Sequence, residues 1–246
     1  MTASNAPRRG HSVAELLYTA IALFRATLLK CLPFAMVAVL CAEAPNFYWL
    51  ASGHSLEQGL PSDPTYWWLA FISSGAALYI FSAMMLRQVY FSGGFAVNAR
   101  QEFALAARRL PTLLSAWILL QVSLFVGFLA LVLPAVFLFV CYLVLLPVIL
   151  LEGQLNPLLA LRRCVLLVWP NWWRVCAAFV IALITMFICA LVVAAMLNIL
   201  AALLAGSGSA AFLAIVSAGS IALGAAALVF FSALALAIHS SANSSA

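Results

Sequence analysis

Few side chains in this chain could carry chemistry, because only 7% of its residues are charged. An enzyme or metal site needs ionisable groups that converge, such as paired carboxylates, a nucleophile beside a base, or several His and Cys ligands. The three histidines, His11, His54 and His239, lie in separate segments, and none of the six cysteines forms a C-x-x-C pair. The sequence therefore predicts no enzyme activity, no metal site and no cofactor.

The clearest candidate for binding combines arginine with tryptophan. Arg162, Arg163 and Arg174 flank the pair Trp172 and Trp173. Guanidinium groups bind phosphate, and tryptophan concentrates at the boundary between lipid and water. We expect these five residues to contact the headgroups of anionic lipids. Simple anchoring of the helices at the interface is the alternative.

Four other polar residues are candidates for contacts between helices or at the inner face. Glu152 ends an apolar segment, and an ion pair with the arginine pair that follows it would close the inner face of the bundle. Glu43, Gln121 and Asn198 lie inside apolar segments. Hydrogen bonds to neighbouring helices are expected for them. For Glu43 a position at the outer interface is expected equally, and a bound cation or proton is the alternative. For Gln121 and Asn198 a bound substrate is the alternative.

The composition indicates that most of the surface contacts lipid. The chain is 67% hydrophobic and has a mean hydropathy of +1.19, whereas soluble domains are about 45–50% apolar and about 25% charged. Its 246 residues suit a single membrane domain. The net charge of +5 is spread over short segments beside the apolar runs. It therefore favours anionic membrane lipids over nucleic acid as partners.

Residues 112–151 contain no charged residue. As one helix they would extend about 60 Å, which is twice the hydrocarbon thickness of about 30 Å. Pro134 lies near the middle, where proline favours a break. The segment is therefore predicted to fold back as two spans, 112–133 and 134–151.

Six spans are predicted in total: residues 32–50, 67–86, 112–133, 134–151, 175–198 and 211–238. All Lys and Arg residues then fall on one side, which the positive-inside rule makes cytoplasmic together with both termini. The preference for Arg over Lys, with abundant Ala and Leu, favours a GC-rich bacterial source and hence the inner membrane. Residues 1–10 and 239–246 are predicted to be disordered tails.

Three cytoplasmic segments have apolar residues at helical spacing, with arginines off the apolar stripe: residues 13–28, 95–110 and 158–165. Each precedes a spanning helix and is predicted to lie in the headgroup layer. The predicted fold is therefore an all-α polytopic membrane protein, with six transmembrane helices as three hairpins plus amphipathic interfacial helices on the cytoplasmic side. A repeated unit of interfacial helix and hairpin is one interpretation, and chance similarity is the other.

The sixth span contains small residues four positions apart, which permit close helix packing. They are Ser220 with Gly224, and Ala218 with Ala222 and Ala226. Internal packing is the expected use of these faces. A seam between two copies of the chain is the alternative.

Residues 133–180 resemble a known family. The matching residues are Pro134, Glu152-Gly153, the run Pro-Leu-Leu-Ala-Leu-Arg-Arg at 157–163, and Asn-Trp-Trp-Arg at 171–174. This region is similar to YciC-like inner-membrane proteins of unknown function, and to the membrane domain of some glycerophosphodiester phosphodiesterases. Ala135 stands where the family usually has glycine, and Cys164 where it commonly has serine. The resemblance implies a six-helix membrane domain and no activity.

The sequence thus favours a non-enzymatic envelope or lipid-interacting accessory protein. A small transporter or channel is the alternative, and it would need polar residues or broken helices at the membrane midplane. Gln121, Asn198 and the break at Pro134 are the features that favour it.

Overall fold

The computed structural model describes residues 12–53, 63–95, 98–130, 132–206 and 209–245. Within these ranges the chain is helical and has no strand: α1 Val13–Ala51, α2 Pro64–Ser92, α3 Ala99–Ala130, α4 Val132–Tyr142, α5 Leu145–Leu151, α6 Pro157–Val168, α7 Trp172–Ala205 and α8 Ala210–Ser245, with a 3-10 turn at Trp169–Asn171. The tail predicted at residues 1–10, together with His11 and His54, lies outside the described residues.

Six helical segments are long and apolar enough to cross a membrane: Val13–Ala51, Pro64–Ser92, Ala99–Leu129, Pro134–Leu151, Pro157–Ala205 and Ala211–Asn243. This confirms, for the described part of the chain, the prediction of an all-helical protein with six candidate spans. The segments indicate a multi-pass membrane protein.

Helix α1 is longer than the predicted first span. It begins at a capping box, in which the Ser12 side chain accepts from the Glu15 amide and the Glu15 carboxylate accepts from the Ser12 amide. It then continues without interruption through the predicted amphipathic segment and Pro33 to Ala51. Helix α3 likewise joins the second amphipathic segment to a span. No glycine or polar turn separates the two parts in either case, so the helix continues.

The predicted fourth span is divided in two. Helix α4 ends at Tyr142 and α5 begins at Leu145. Pro147 lacks an N–H and its ring crowds the carbonyl of Leu143, four residues earlier, so the helix breaks there. Near the other end of α4, a Cβ on Gly127 of α3 would lie 3.2 Å from the backbone of Ala135. Glycine therefore allows α3 and α4 to approach closely.

Residues at the N-terminus of helix α6 explain why the helix begins there. The Asn156 side chain accepts hydrogen bonds from the amides of Leu158 and Leu159, and Pro157 occupies the first helical position. The preceding turn uses Gly153 at φ +73°, a conformation that favours glycine. A helix is thus present where the third amphipathic segment was predicted.

Helix α8 continues to Ser245, so the prediction of a disordered tail from residue 239 is wrong for residues 239–245. Small polar residues suggested disorder, but His239 is buried and Asn243 makes side-chain hydrogen bonds to other helices. These contacts hold the last turns of the helix against the bundle.

The helices pack around a core to which α5 contributes Leu145, Val148 and Ile149, all buried. Helix α1 packs along α2 and α8, and α7 packs along α8. In α8, Gly224 lies against Val39 of α1. This contact is internal to the bundle, as expected for the small residues. By contrast, large apolar side chains such as Phe187 of α7 are exposed, which suits a lipid environment.

Candidate functional site

A cluster of four polar side chains joins three helices at the end of the bundle where α2, α5 and α8 finish, which we call the basic end. Glu152 caps α5, Arg163 belongs to α6, and His239 and Asn243 belong to α8. Arg163 Nε donates to Glu152 Oε2 at 3.0 Å, and His239 Nε2 lies 3.0 Å from Glu152 Oε1. Arg163 Nη2 also donates to Asn243 Oδ1 at 3.2 Å. The predicted ion pair is therefore present, with Arg163 rather than Arg162 as its partner.

The surroundings of Glu152 favour its charged form. Burial alone would raise the pKa of its carboxyl, but the hydrogen bonds from Arg163 and His239 outweigh burial and hold the pKa below its ordinary value. The Arg163 charge and Asn243 act in the same direction. Glu152 thus serves as an ionised anchor for α6 and α8.

The structure separates the five predicted lipid contacts into two groups. Arg163 is engaged by Glu152, and Trp172 stacks on Phe137 with 5.5 Å between the ring centroids. Arg162, Trp173 and Arg174 are exposed. Trp173 is 79% exposed, and Arg174 Nη1 donates to Asn171 Oδ1 at 3.4 Å. We call these three exposed residues the Arg–Trp patch.

The three polar residues predicted inside spans do not bridge helices as expected. Asn198 Nδ2 donates to the Ala194 carbonyl of its own helix at 2.8 Å, because a short amide reaches the preceding turn easily. Glu43 is exposed and accepts from Asn46 of its own helix at 2.8 Å. Asn46 in turn accepts from Tyr66 of α2. Gln121 is exposed on α3.

A buried ion pair that was not predicted from the sequence joins α2 to α3. Arg87 Nε lies 3.0 Å from Glu102 Oε2, and the side chains are 15% and 0% exposed. The Arg87 guanidinium also lies over the Phe34 ring, 4.1 Å from its centroid. The second carboxylate oxygen, Oε1, is buried without a hydrogen-bond partner among the described residues. Both residues had been assigned to a segment outside the spans, so no signal marked them as partners.

Gln88 is the centre of a second buried polar contact that was missed. Its Nε2 donates to Thr27 Oγ1 of α1 at 3.2 Å and to the Val229 carbonyl of α8 at 3.1 Å. Its Oε1 accepts from Ser232 of α8 at 2.6 Å. The carboxamide therefore fixes the relative rotation of α1, α2 and α8.

Beside these contacts, a cleft opens between α1, α2 and α8 at the basic end. Its volume is about 600 Å³, within the range of about 300–1,000 Å³ that is usual for ligand sites. Most of its wall is apolar, and its polar residues are Thr19, Ser92, His239 and Ser240. We call this cavity the three-helix cleft.

The described residues contain no group of three or more His, Cys, Asp or Glu side chains that could hold a metal ion. The six cysteines are free thiols. Among the polar contacts that link helices are the Glu152 cluster, the Arg87–Glu102 pair and the Gln88 contacts.

Comparison of the chain with family models, with curated proteins and with solved structures gave no match.

Proposed function

We propose that this protein is a non-enzymatic inner-membrane protein that interacts with anionic lipids at its basic end. The observation that carries the proposal is the Arg–Trp patch: two exposed arginines and an exposed tryptophan, with Arg162 on α6 and with Trp173 and Arg174 in the first turn of the long apolar helix α7. Cations at this level attract anionic headgroups, and an indole lies well at the lipid boundary.

Contacts within the folded protein reduce the number of predicted residues that are free to bind lipid. Glu152 pairs with Arg163 and Phe137 stacks on Trp172, which leaves Arg162 and Arg174 as the two arginines of the predicted lipid site that are free to meet phosphate. The transporter alternative depended on Gln121, Asn198 and the break at Pro134, and both polar residues lie on exposed helix faces. Their positions give that alternative no polar path through the bundle. An envelope or lipid-interacting accessory role is therefore the better-supported function.

We also propose the finer architecture: three hairpins, with the basic end and both termini in the cytoplasm of a bacterial cell. Support comes from the packing of α1 on α2, of α3 on α4 and of α7 on α8. Helix α6 is separate and amphipathic, which suits a position in the headgroup layer. The similarity to YciC-like proteins stays a prediction.

The lipid proposal predicts a loss of bound anionic lipid in the double variant Arg162→Gln/Arg174→Gln. Each cation near an anionic surface contributes about 1 kcal/mol, so the affinity for phosphatidylglycerol should fall by about tenfold or more. Phosphatidylglycerol is titrated onto the purified protein, and mass spectrometry measures how much lipid the protein retains at each concentration.

The matched control is Arg100→Gln/Arg108→Gln, which removes the same charge from exposed positions of α3. It should retain most of the lipid. Equal loss in both double variants would reduce the effect to net charge and contradict a role for the patch. Unchanged binding in the first variant would contradict the proposal directly.

The orientation predicts the response of a reporter enzyme that is active only in the periplasm. Fused after Ala246, the reporter should be silent, whereas insertion beside Gln58 should give activity. The reason is that all Lys and Arg residues fall on the side of the predicted spans that also holds the C-terminus. An active reporter after Ala246 and a silent one beside Gln58 would contradict the proposed orientation. The six candidate spans would be unaffected by that result.

A further inference from the structure

Another cleft lies between α1 and α8, toward the end of the bundle opposite the basic end, and its volume is about 380 Å³. A Cβ on Gly224 of α8 would lie 3.7 Å from a methyl group of Val39 of α1, so the two helices are close at this level. From there the cleft follows α1 through Glu43 to Phe47, and residues four positions apart share one helix face. The opposite wall comes from α8: Val216, Ser217, Ser220 and Ile221. We call this cavity the Glu43 cleft.

The aromatic residues near the end of the bundle indicate that Glu43 lies deeper than the membrane boundary. The rings of Trp49 and Tyr66 pack with 5.7 Å between their centroids, and Trp67 packs on Tyr66 at 5.5 Å. Tryptophan and tyrosine concentrate at the boundary between lipid and water. Glu43 precedes Trp49 by six residues, which is about 9 Å along the helix. A carboxylate at that depth is costly unless a cation or a proton neutralises it.

The protein holds one oxygen of this carboxylate and leaves the other available. Tyr66 of α2 donates from its hydroxyl to Asn46 Oδ1 at 3.2 Å, and Asn46 Nδ2 donates to Glu43 Oε2 at 2.8 Å. Within the described part of the chain, Oε1 accepts no hydrogen bond and Glu43 has no ion-pair partner. The carboxylate is therefore positioned by α2, and its counter-charge must come from outside the bundle.

The rest of the wall selects an organic cation. Its described residues include no Lys, Arg or His, so nothing there competes with a positive occupant. A calcium ion takes six to eight oxygen ligands, whereas the cleft offers one carboxylate and two serine hydroxyls among apolar side chains. An ammonium group on an apolar body needs only one carboxylate and an apolar wall. Phe47 is 46% exposed, and an aromatic ring also attracts a cation through its face.

We propose that the Glu43 cleft binds a hydrophobic organic amine in its cationic form, which enters from the membrane. Its ammonium donates to Glu43 Oε1, and its apolar part lies between α1 and α8. Ser220 Oγ donates to the Val216 carbonyl at 2.9 Å, so the hydroxyl oxygen keeps lone pairs for a second ammonium N–H. This site shares no residue with the Arg–Trp patch and does not depend on the proposed function.

The test compares 4-phenylbutylamine, which is cationic at neutral pH, with the neutral alcohol 4-phenylbutan-1-ol of the same shape. Each is titrated calorimetrically into the full chain in mild detergent, against the same detergent without protein. The wild type should bind one amine per chain, about tenfold more tightly than the alcohol, because hydrogen bonds to a charged group add this much. Glu43→Gln should bind the amine no better than the alcohol. A wild type without preference for the amine would overturn the proposal.

Two matched controls separate the site from general effects. Glu15→Gln removes the same charge near the other end of α1, where glutamine can also complete a capping box, and should keep the preference. Ser217→Trp fills the cleft and should abolish binding of both compounds. Ala218→Trp adds an indole at the next exposed position, outside the cleft, and should bind as the wild type does. Equal amine binding by Glu43→Gln and Glu15→Gln would contradict the assigned role of Glu43.

A second measurement uses the unmodified protein, so that it does not depend on the folding of a variant. An analogue of 4-phenylbutylamine with a diazirine on its ring is irradiated with the protein in vesicles, and the labelled peptides are mapped. Labels at Val39, Phe47 or Ile221 are expected, and excess amine should suppress them more strongly than excess alcohol. Labels confined to exposed positions of α7 or to the three-helix cleft would overturn the proposed site.

Discussion

Replacing Glu102 with alanine is expected to lower the free energy of unfolding by about 3–5 kcal/mol, the usual cost of breaking a buried ion pair. Glu102 is fully buried, and it is the partner of Arg87, whose side chain is only 15% exposed. Without the carboxylate, the Arg87 guanidinium is left without its counter-charge between α1, α2 and α3. Its contact with the Phe34 ring compensates for only part of that loss.

The measurement is thermal or denaturant unfolding in detergent, with Glu43→Ala as the matched control. Glu43 is also a carboxylate within a helix, but it is exposed and bonds to its own helix, so its loss should cost within about 0.5 kcal/mol. The double variant Arg87→Leu/Glu102→Leu removes both charges and should recover most of the stability, because apolar replacements of buried pairs are often neutral. Equal effects of Glu102→Ala and Glu43→Ala would show that the buried pair is not formed.

Replacing Glu152 with glutamine is expected to cost about 2 kcal/mol at neutral pH, since hydrogen bonds to charged groups contribute about 1.5–3 kcal/mol. The carboxylate is 18% exposed and anchors both Arg163 and His239. Arg163 is 38% exposed, so water solvates the freed guanidinium and keeps the loss toward the lower part of that range. The C-terminal turns of α8 should become more accessible to protease.

The loss of stability caused by Glu152→Gln should become smaller as the pH falls. The folded-state pKa of Glu152 lies below its ordinary value of 4.5, so ionised Glu152 stabilises the fold fully at pH values above 4.5. The stabilisation is lost as the pH falls through the lower folded-state pKa. The difference in melting temperature between wild type and Glu152→Gln should therefore be large near about pH 5 and shrink toward about pH 3. A difference that stays constant over this range would contradict the assigned role of the carboxylate.

The elements that sequence reasoning located correctly depend on local properties of the chain. The uncharged run at residues 112–151 is too long to cross a membrane as one helix, and it falls in two candidate spans, Ala99–Leu129 and Pro134–Leu151. Helix α6 begins at a local signal, because Asn156 is its N-cap and Pro157 occupies its first helical position. The break between α4 and α5 also has a local cause, because Pro147 stands four residues after Leu143.

The candidate residues were harder to rank because their roles depend on helix rotation. Glu43 is the charged residue that falls within a predicted span, yet it is exposed. Glu102 belongs to the amphipathic segment 95–110 that is predicted to lie in the headgroup layer, yet it is fully buried. An apolar helix shows no strong difference between its faces, so sequence periodicity cannot tell which side of it meets another helix and which meets lipid.

The sequence by itself determined that the chain forms apolar helices able to cross a membrane, because hydropathy, charge and proline positions act over a single helix length. Only the tertiary structure decided which polar groups meet. His239 reaches Glu152 across 87 residues, and Ser232 reaches Gln88 across 144. Such contacts depend on how helices distant in sequence pack and rotate against one another, and the three-helix cleft exists only as the space that this packing leaves.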